Sequence, residues 1–371
     1  SSTTKGVWSH AQPVRITAGV GALELLSSLL SCEERVLVVT SAGFTRRGVT
    51  QQIANQLGAS RVILHDCISP NPELEDLDSA VEYLRNERPT AVVALGGGSV
   101  MDAAKVLAVA VPCNRINPLA NFFRRGLDAT WGAGLPVVAI PTTSGTGAEV
   151  TPFATVWDRS TRKKHSLAGH FMYPTHALLD VELTVSLSRE DTLYPGLDAI
   201  SHALESLWNK HSTPVSTAMS LEALSIAVEA LPQALERPFD MFARERMQQA
   251  SLLSGLAISQ TRTAIAHSIS YPLTSYFGVP HGLACSFTLP ELLRLNLPML
   301  VAKSPHQRTL FAALTDLFKG LNLHERINSY VSAEQVHALT QHMVNKDRMG
   351  NFSGTIGLGL DTLLANSLVQ S

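Results

Sequence analysis

The sequence predicts two domains, an N-terminal α/β domain built on a parallel sheet and a C-terminal domain made entirely of helices. With 371 residues, the chain is longer than one ordinary hydrophobic core supports. In its first half, short β-branched runs alternate with helical stretches, which is typical of βαβ units. From about residue 184 onward the pattern is helical and few strand candidates remain. We therefore predict an α/β domain over residues 1–183 and a helical domain over 184–371.

The strands of the first domain are predicted from five apolar runs. They are RVLVVT at 35–40, RVILHD at 61–66, TAVVALGGG at 90–98, LPVVAIPTT at 135–143 and HALLDVE at 176–182. Helices are predicted between them at 48–57 and near 74–86. Strands this apolar are expected where both faces of a parallel sheet are covered.

The second domain is predicted from long runs with helical spacing of apolar residues. These include STAMSLEALSIAVEALPQAL, ERMQQASLLSGLAISQ and LPELLRLNLPMLVA, separated by Pro- and Gly-marked turns. Two further helices, around 333–346 and 359–369, are interpreted as packing elements.

Charge and composition limit the kinds of partner. The formal net charge is −2, so there is no basic field of the kind that binds nucleic acid or an anionic membrane. No apolar stretch is expected to reach the roughly 18–20 residues that cross a bilayer, and the first ten residues lack the layout of a signal peptide.

The four cysteines are Cys32, Cys67, Cys113 and Cys285. They form no CxxC pair, which argues against a disulfide framework or a structural zinc motif. We expect a cytoplasmic protein with small-molecule partners.

A run of three glycines is the first candidate ligand-binding feature. Gly96, Gly97 and Gly98 follow a buried strand and precede a helix, so backbone N–H groups and a positive helix end are available to a phosphate. Ser99 is a candidate helix cap or phosphate donor, and Asp102 suits the beginning of a helix. The run is not GxGxxG, and a glycine run after a strand is often only a tight turn.

A second loop with hydroxyl groups and glycines, PTTSGTGAEVTP at 141–152, also follows an apolar strand. Loops at the carboxyl ends of strands are where open α/β sheets bind ligands. Nearby, Lys163 and Lys164 form either a solvated basic turn or a contact with phosphate or ribose. Together, the two loops indicate a bound nucleotide.

The end of the first predicted strand bears on the choice between NAD and NADP. An acidic residue there would hold the ribose 2′-hydroxyl and repel a 2′-phosphate. This chain has Ser41 near that point, with Arg46 and Arg47 downstream. NADP(H) is therefore permitted, and NAD(H) stays open.

Four residues have the chemistry of one divalent-metal site. Asp198 and His202 lie four residues apart in a helical pattern, which places both side chains on one helix face. His267 follows in an apolar, helix-compatible run, and His281 is expected on a turn between Pro280 and Gly282. Any one of them alone is more often an ordinary core or surface residue. One carboxylate with three imidazoles suits Zn(II), Fe(II) or another first-row divalent ion.

Taken together, the segments GGGSVMDAAK, PTTSGTGAEVTPF, GLDAISHALE and HSISYPLTSYFGVPHG resemble the iron-containing (group III) alcohol dehydrogenase family, in this order and at these separations. The resemblance covers nearly the whole chain. It implies a nucleotide-binding α/β domain followed by a helical metal domain, and a family whose members are often dimers or larger.

What the resemblance implies is specific to residues. The family's metal-ligand positions correspond to Asp198, His202, His267 and His281, which implies Fe(II), with Zn(II) as the alternative. The implied contacts with NADP or NAD are Ser41, which we infer from its position, together with Gly97, Gly98, Ser99, Asp102, Thr142, Thr143, Thr146 and Lys164.

One position departs from the family pattern. Many members carry a second histidine four residues after the third metal ligand, where it is suspected of relaying a proton, and this chain has Tyr271 there. A phenol with a reference pKa near 10 is a poorer base than histidine at neutral pH. Tyr271 is therefore a candidate either for proton transfer or for shaping the pocket.

The chemistry that these expectations imply is hydride transfer between a nicotinamide and a small aldehyde or primary alcohol. The HSISYPLT segment and residues 151–171 look similar to the branch that reduces phosphonoacetaldehyde to 2-hydroxyethylphosphonate, and its anionic head group makes Arg159, Lys164 and Arg262 candidate contacts. The alternatives are a generalist short-chain alcohol dehydrogenase, a lyase on the dehydroquinate synthase plan, and a non-catalytic nucleotide sensor. The last two are disfavoured because all four candidate metal ligands are present.

Overall fold

The computed structural model describes residues 6–127 and 131–370. Residues 1–5, at the start of the segment considered as a signal peptide, lie outside the described residues. The chain divides into two compact units, one formed by residues 13–186 and the other by residues 187–370 with the stretch that ends at Gln12.

The first unit is an α/β unit. Its strands are β1 (Arg15–Ala18), β2 (Val36–Thr40), β3 (Val62–His65), β4 (Ala91–Gly96), β5 (Val137–Pro141), β6 (Phe153–Asp158), β7 (Lys163–Ala168) and β8 (His176–Leu179). Its α-helices are α1 (Ala42–Arg46), α2 (Val49–Leu57), α3 (Leu74–Glu87), α4 (Gly98–Ala110) and α5 (Pro118–Phe123). Short 3₁₀ helices connect several of these elements.

Six of the strands form one parallel sheet in the order β1-β8-β5-β4-β2-β3. Strands β2, β4 and β5 are buried along their whole length, as their continuous apolar sequences predict. All five predicted strands and both predicted helices are present in this unit. The parallel α/β prediction is confirmed.

Three strands were not predicted. Strand β1 is an edge strand whose residues are mostly exposed, so it has no apolar run to reveal it. Strands β6 and β7 form a separate antiparallel hairpin. β6 alternates between buried and half-buried residues, and β7 begins with two lysines, so neither resembles the buried strands of the main sheet.

The second unit is helical throughout the residues that the structure describes, apart from one isolated bridge between Asn209 and Phe352. Its α-helices are α6 (Arg189–Leu207), α7 (Pro214–Glu236), α8 (Met241–Thr261), α9 (Ile265–Phe277), α10 (His281–Ala284), α11 (Leu289–Lys303), α12 (Arg308–Leu321), α13 (Leu323–Asn328), α14 (Ala333–Ala338), α15 (Lys346–Asn351) and α16 (Leu360–Ser367). The helix expected at 333–346 is instead α14 followed by a 3₁₀ turn, Thr340–Met343. His281, which was expected on a turn, is instead the first residue of α10.

Helix α7 contradicts one expectation from the sequence. By length and composition alone it is long and apolar enough to span a membrane, so the prediction that no such stretch exists was wrong. Core helices pass the same test. Leu221, Leu224, Ile226 and Leu231 of α7 are buried in the hydrophobic core of the helical unit, which explains the apolar composition.

Candidate metal centre and nucleotide loops

One carboxylate oxygen lies at the centre of the four candidate metal ligands. Asp198 Oδ1 is 3.2 Å from His202 Nε2, 3.1 Å from His267 Nε2 and 3.3 Å from His281 Nε2. The structure thus brings together side chains from three helices, α6, α9 and α10. These are the four residues that the sequence singled out.

Burial and charge shape this cluster. Asp198, His202 and His267 are buried, whereas His281 is partly exposed. Burial by itself would raise the pKa of Asp198, but the neighbouring histidines hold that pKa well below its usual range. Asp198 therefore remains a carboxylate and offers a negative charge at the centre of the cluster.

The donor set fits a divalent ion. Ligand atoms that share a tetrahedral ion through bonds of about 2.1 Å lie ~3.4 Å apart, close to the separations around Asp198 Oδ1. The second oxygen, Asp198 Oδ2, is buried and has no hydrogen-bond partner among the described residues. A buried carboxylate oxygen without a partner is costly, and a cation beside it would remove that cost.

Glu205 extends the cluster and was not predicted from the sequence. It is fully buried, and its Oε1 accepts hydrogen bonds from the backbone N–H of His267 at 2.8 Å and from His267 Nδ1 at 2.7 Å. Burial would lower the pKa of His267, but its bonds to Asp198 and Glu205 raise it. Glu205 follows His202 by three residues, so helical spacing was the available signal.

Cys285 is the second residue that sequence reasoning missed. Its Sγ lies 3.3 Å from Asp198 Oδ1, and its donor atom lies within 4.8 Å of those of Asp198, His267 and His281. Burial first, and then the charge of Asp198, raise the pKa of Cys285 well above its usual range. In this environment Cys285 is a neutral thiol that donates a hydrogen bond to Asp198.

A glycine allows α10 to approach α6 closely. A Cβ atom on Gly282 would lie 1.8 Å from the backbone oxygen of Tyr194 on α6. Only glycine fits at this distance, and Gly282 directly follows His281. The close approach therefore sets how His281 reaches Asp198.

The two nucleotide loops also come together, at the carboxyl ends of adjacent strands. The backbone N–H of Thr142 donates to Gly96 O at 3.0 Å. A Cβ atom on Gly97 would contact the side chain of Thr143 at 3.3 Å, and one on Gly98 would lie 2.6 Å from Thr146. The glycines thus permit close packing of the two loops, while Thr143 and Thr146 stay partly exposed.

Ser41 lies at the same edge of the sheet. It directly follows β2, the strand adjacent to β4, and it is the residue before helix α1. Arg47 is engaged locally, since it lies 4.4 Å over the Phe44 ring and donates to Ser186 Oγ at 3.0 Å. Nothing acidic occupies the position of Ser41 itself.

Two residues of α4 connect the glycine loop to other segments. Ser99 Oγ accepts a hydrogen bond from the backbone N–H of Asn71, and Asp102 Oδ2 accepts one from Thr155 N on β6 at 3.0 Å. Pro72 O in turn accepts from Trp157 N. The segment at 71–73 thereby joins the glycine loop to the hairpin.

The hairpin carries Lys164, whose Nζ lies 5.4 Å from the centroid of the Trp157 ring. Asp158 anchors the hairpin by two hydrogen bonds from Arg124, the residue that directly follows α5, at 2.9 and 2.8 Å. Arg159, a candidate head-group contact, is paired with Glu73 at 3.5 Å. Lys164 and Arg159 thus both lie in the α/β unit.

The remaining candidates, Tyr271 and Arg262, lie in the helical unit. Tyr271 is partly buried on α9, one helical turn after His267. Arg262 is exposed between α8 and α9, in the left-handed conformation with φ 65°. Its carbonyl oxygen accepts a hydrogen bond from Asn209 Nδ2 at 3.1 Å.

Comparison with known families gives two matches that together cover most of the chain. Residues 13–181 match the family described as iron-containing alcohol dehydrogenase. Residues 192–353 match the C-terminal part of the Fe-containing alcohol dehydrogenase family.

Three similar proteins have names that state an enzymatic activity. A phosphonoacetaldehyde reductase from Streptomyces viridochromogenes is 40% identical over 280 residues, which cover 73% of this chain and 69% of that protein. An NAD-dependent methanol dehydrogenase from Bacillus methanolicus is 30% identical over 78% of this chain and 74% of its own length. The crystal structure of a sulfoacetaldehyde reductase from Bifidobacterium kashiwanohense, in complex with NAD⁺, has a TM-score of 0.84 at 28% identity and covers 98% of both chains.

Proposed function

The chain belongs to the iron-containing alcohol dehydrogenase family, and within that family we propose that it reduces small aldehydes with an anionic phosphonate group to primary alcohols. As a family member it is a metal-dependent NAD(P)H oxidoreductase that interconverts small aldehydes and primary alcohols. The relative at 40% identity supports phosphonoacetaldehyde as the substrate, with 2-hydroxyethylphosphonate as the product. The family matches favour this chemistry over a synthase-like lyase.

The observation that carries the metal-dependent chemistry is the cluster of His202, His267 and His281 around Asp198 Oδ1, with each Nε2 atom 3.1–3.3 Å from that oxygen. We assign these four residues as the metal ligands. When bound, a divalent ion supplies Lewis acidity to the aldehyde oxygen, and the nicotinamide supplies the hydride.

Side chains of this protein orient the proposed metal ligands. Asp198 supplies the negative charge of the site, and Glu205 holds the His267 ring with its Nδ1 occupied, which leaves Nε2 for the metal. Tyr271, one turn from His267, is the group that we assign to the proton-relay position, where it donates or accepts through its hydroxyl.

The cofactor sites are proposed on the loops of the α/β unit. We assign the pyrophosphate to Gly97, Gly98 and Ser99 at the N-terminus of α4, and the neighbouring contacts to Asp102, Thr142, Thr143, Thr146 and Lys164. Because Ser41 places no carboxylate at the end of β2, we propose that NADPH is accepted beside NADH. We propose Fe(II) as the metal, with Zn(II) as the alternative.

The decisive experiment measures NADPH and NADH oxidation by the metal-reconstituted protein. Phosphonoacetaldehyde is compared with a panel of neutral short aldehydes, and each assay is repeated with Fe(II) and Zn(II). A strong preference for phosphonoacetaldehyde supports the proposed substrate. Equal rates on neutral aldehydes would instead identify a generalist alcohol dehydrogenase.

We further propose a cytoplasmic homodimer. The edge strand β1 and its surroundings expose Ile16, Val20 and Leu25, which supports burial of this edge by a second copy. The molar mass measured by light scattering tests this, since a monomer would contradict it.

A further inference from the structure

We infer that Arg348, together with Arg262, binds the tetrahedral oxyanion of the substrate, a phosphonate or sulfonate, beside the metal cluster. This inference deepens the proposed function and rests on it. Arg348 lies on α15, a helix of six residues that carries none of the predicted site residues. Nothing in the local sequence DRMGN marks it as functional.

Two asparagines fasten α15 to the segment that carries His267. At its beginning, the backbone N–H of Asn345 donates to Ser268 Oγ at 3.0 Å. At its end, Asn351 Nδ2 donates to the backbone oxygen of Thr263 at 3.0 Å. Arg348 stands between these two anchors, so it is held against the chain that runs from Arg262 to α9.

Arg262 is held at the other side of this contact. Its backbone oxygen accepts hydrogen bonds from Asn209 Nδ2 and from Thr261 Oγ1 at 2.9 Å. Its φ of 65° is an unusual conformation for a residue with a side chain, and such strained conformations cluster at functional sites. The backbone of Arg262 is therefore fixed while its side chain stays exposed.

The charges around Arg348 indicate what its guanidinium faces. Burial lowers the pKa of Arg348, and the nearby Arg262 lowers it further, whereas Glu205, Asp347 and Tyr271 raise it. Arg348 is thus within electrostatic range of both Arg262 and Tyr271. When two guanidinium groups repel each other, an anion bound between them relieves the repulsion, so binding of the anion is favourable.

A purely structural role for Arg348 as the counter-ion of Glu205 is the competing explanation. Glu205 Oε1 is engaged by His267, whereas Glu205 Oε2 is buried without a hydrogen-bond partner among the described residues. The charge of Glu205 acts on Arg348, but Arg348 forms no salt bridge in the described part of the chain. Glu205 therefore does not hold the Arg348 guanidinium directly, which leaves that guanidinium able to bind an anion. A phosphonate near neutral pH carries about two negative charges, by analogy with a phosphate monoester.

The test compares the anionic substrate with a neutral one of similar shape. Phosphonoacetaldehyde, sulfoacetaldehyde and 3,3-dimethylbutanal are assayed with wild type, Arg348→Gln, Arg348→Lys and Arg262→Gln, with metal content measured for each. Loss of charge-assisted hydrogen bonds should reduce the preference for phosphonoacetaldehyde over the neutral aldehyde by roughly 10- to 100-fold in the Gln variants. Arg348→Lys should lose less of this preference, because lysine retains the positive charge although it lacks the planar guanidinium.

Arg308→Gln is the matched control, since Arg308 is exposed on α12, a helix that supplies no site residue. It should keep the wild-type preference. If Arg348 served only Glu205, its variants would lose metal and would slow all three aldehydes equally, which would overturn the inference. Retention of the wild-type preference by Arg348→Gln and Arg262→Gln would also overturn it, while leaving the proposed substrate intact.

A second measurement separates failure of the inference from failure of the proposed substrate. Methylphosphonate is tested as a competitive inhibitor of 3,3-dimethylbutanal reduction. Wild type could show no preference for phosphonoacetaldehyde and still be inhibited by methylphosphonate, with the inhibition abolished in Arg348→Gln. That result would support the anion site and would contradict the proposed substrate. If wild type shows neither preference nor inhibition, both fail.

Discussion

Glu205 binds His267 twice, through the backbone N–H at 2.8 Å and through ring Nδ1 at 2.7 Å. One carboxylate oxygen thereby fixes both the main chain and the ring of the same residue. Because Nδ1 donates to Glu205, the other ring nitrogen, Nε2, points toward Asp198 at 3.1 Å. The orientation of this proposed ligand is set before a metal arrives.

We expect Glu205→Ala to weaken metal binding by roughly 10- to 100-fold, because a carboxylate that orients a ligating histidine contributes about this much to affinity. Glu205→Gln, which retains an acceptor oxygen but no charge, should lose less metal affinity than Glu205→Ala. The measurement is the metal dissociation constant from competition with a chelator. Glu222→Gln on the exposed face of α7 is the control, and equal affinities in all four proteins would refute the assigned role.

We expect Cys285→Ser to retain one metal per chain. Cys285 is not among the four proposed ligands, and a serine hydroxyl can make the same hydrogen bond to Asp198 that the Cys285 thiol makes. Substitution with Co(II) gives a direct readout, because a thiolate ligand produces a charge-transfer band. A band that is present in wild type and lost in Cys285→Ser would make Cys285 a metal ligand.

We expect Gly282→Ala to destabilise the protein by about 2–4 kcal/mol, since overpacking against a rigid backbone forces local displacement. The added Cβ would meet the Tyr194 oxygen at 1.8 Å and move His281 away from Asp198. Denaturant unfolding measures the stability, and metal titration measures the accompanying loss of affinity. In the control, Gly320→Ala on α12, the new methyl group has nothing within 4 Å and should not destabilise.

We expect Asp158→Asn to lower the free energy of unfolding at pH 7 by about 1–3 kcal/mol, the contribution of hydrogen bonds to a charged group. The bond from Arg124 holds the pKa of Asp158 far below its usual range. A depressed folded-state pKa adds stability above the unfolded pKa, and this stability is lost as pH falls. The difference between wild type and variant should therefore shrink progressively below about pH 4.

Urea unfolding at pH 7, 5 and 3 checks this prediction. Asp316→Asn, at an exposed position on α12, is the control and should show little change at any pH. A difference for Asp158→Asn that stayed constant down to pH 3 would show that its ionisation is not the cause.

The parts of the fold and of the site that could be predicted from the sequence are those whose geometry follows from regular residue spacing. Asp198 and His202 share a helix face because they lie four residues apart, and the strands β2, β4 and β5 are predicted by continuous burial. The sequence could not predict Arg348, because its position depends on hydrogen bonds to residues distant along the chain. The hairpin was likewise missed, because its anchoring by Arg124 is a tertiary contact.

Helix α15 supplies the proposed head-group residue without supplying any of the proposed metal ligands. If Arg348 binds the head group, mutations in this six-residue segment would change which aldehyde is preferred while the set of metal ligands stays the same. Such a division would let substrate preference change through mutations in one small helix that supplies no metal ligand. Members of the family with different charged or neutral substrates are accordingly expected to diverge here before they diverge at Asp198 or its histidines.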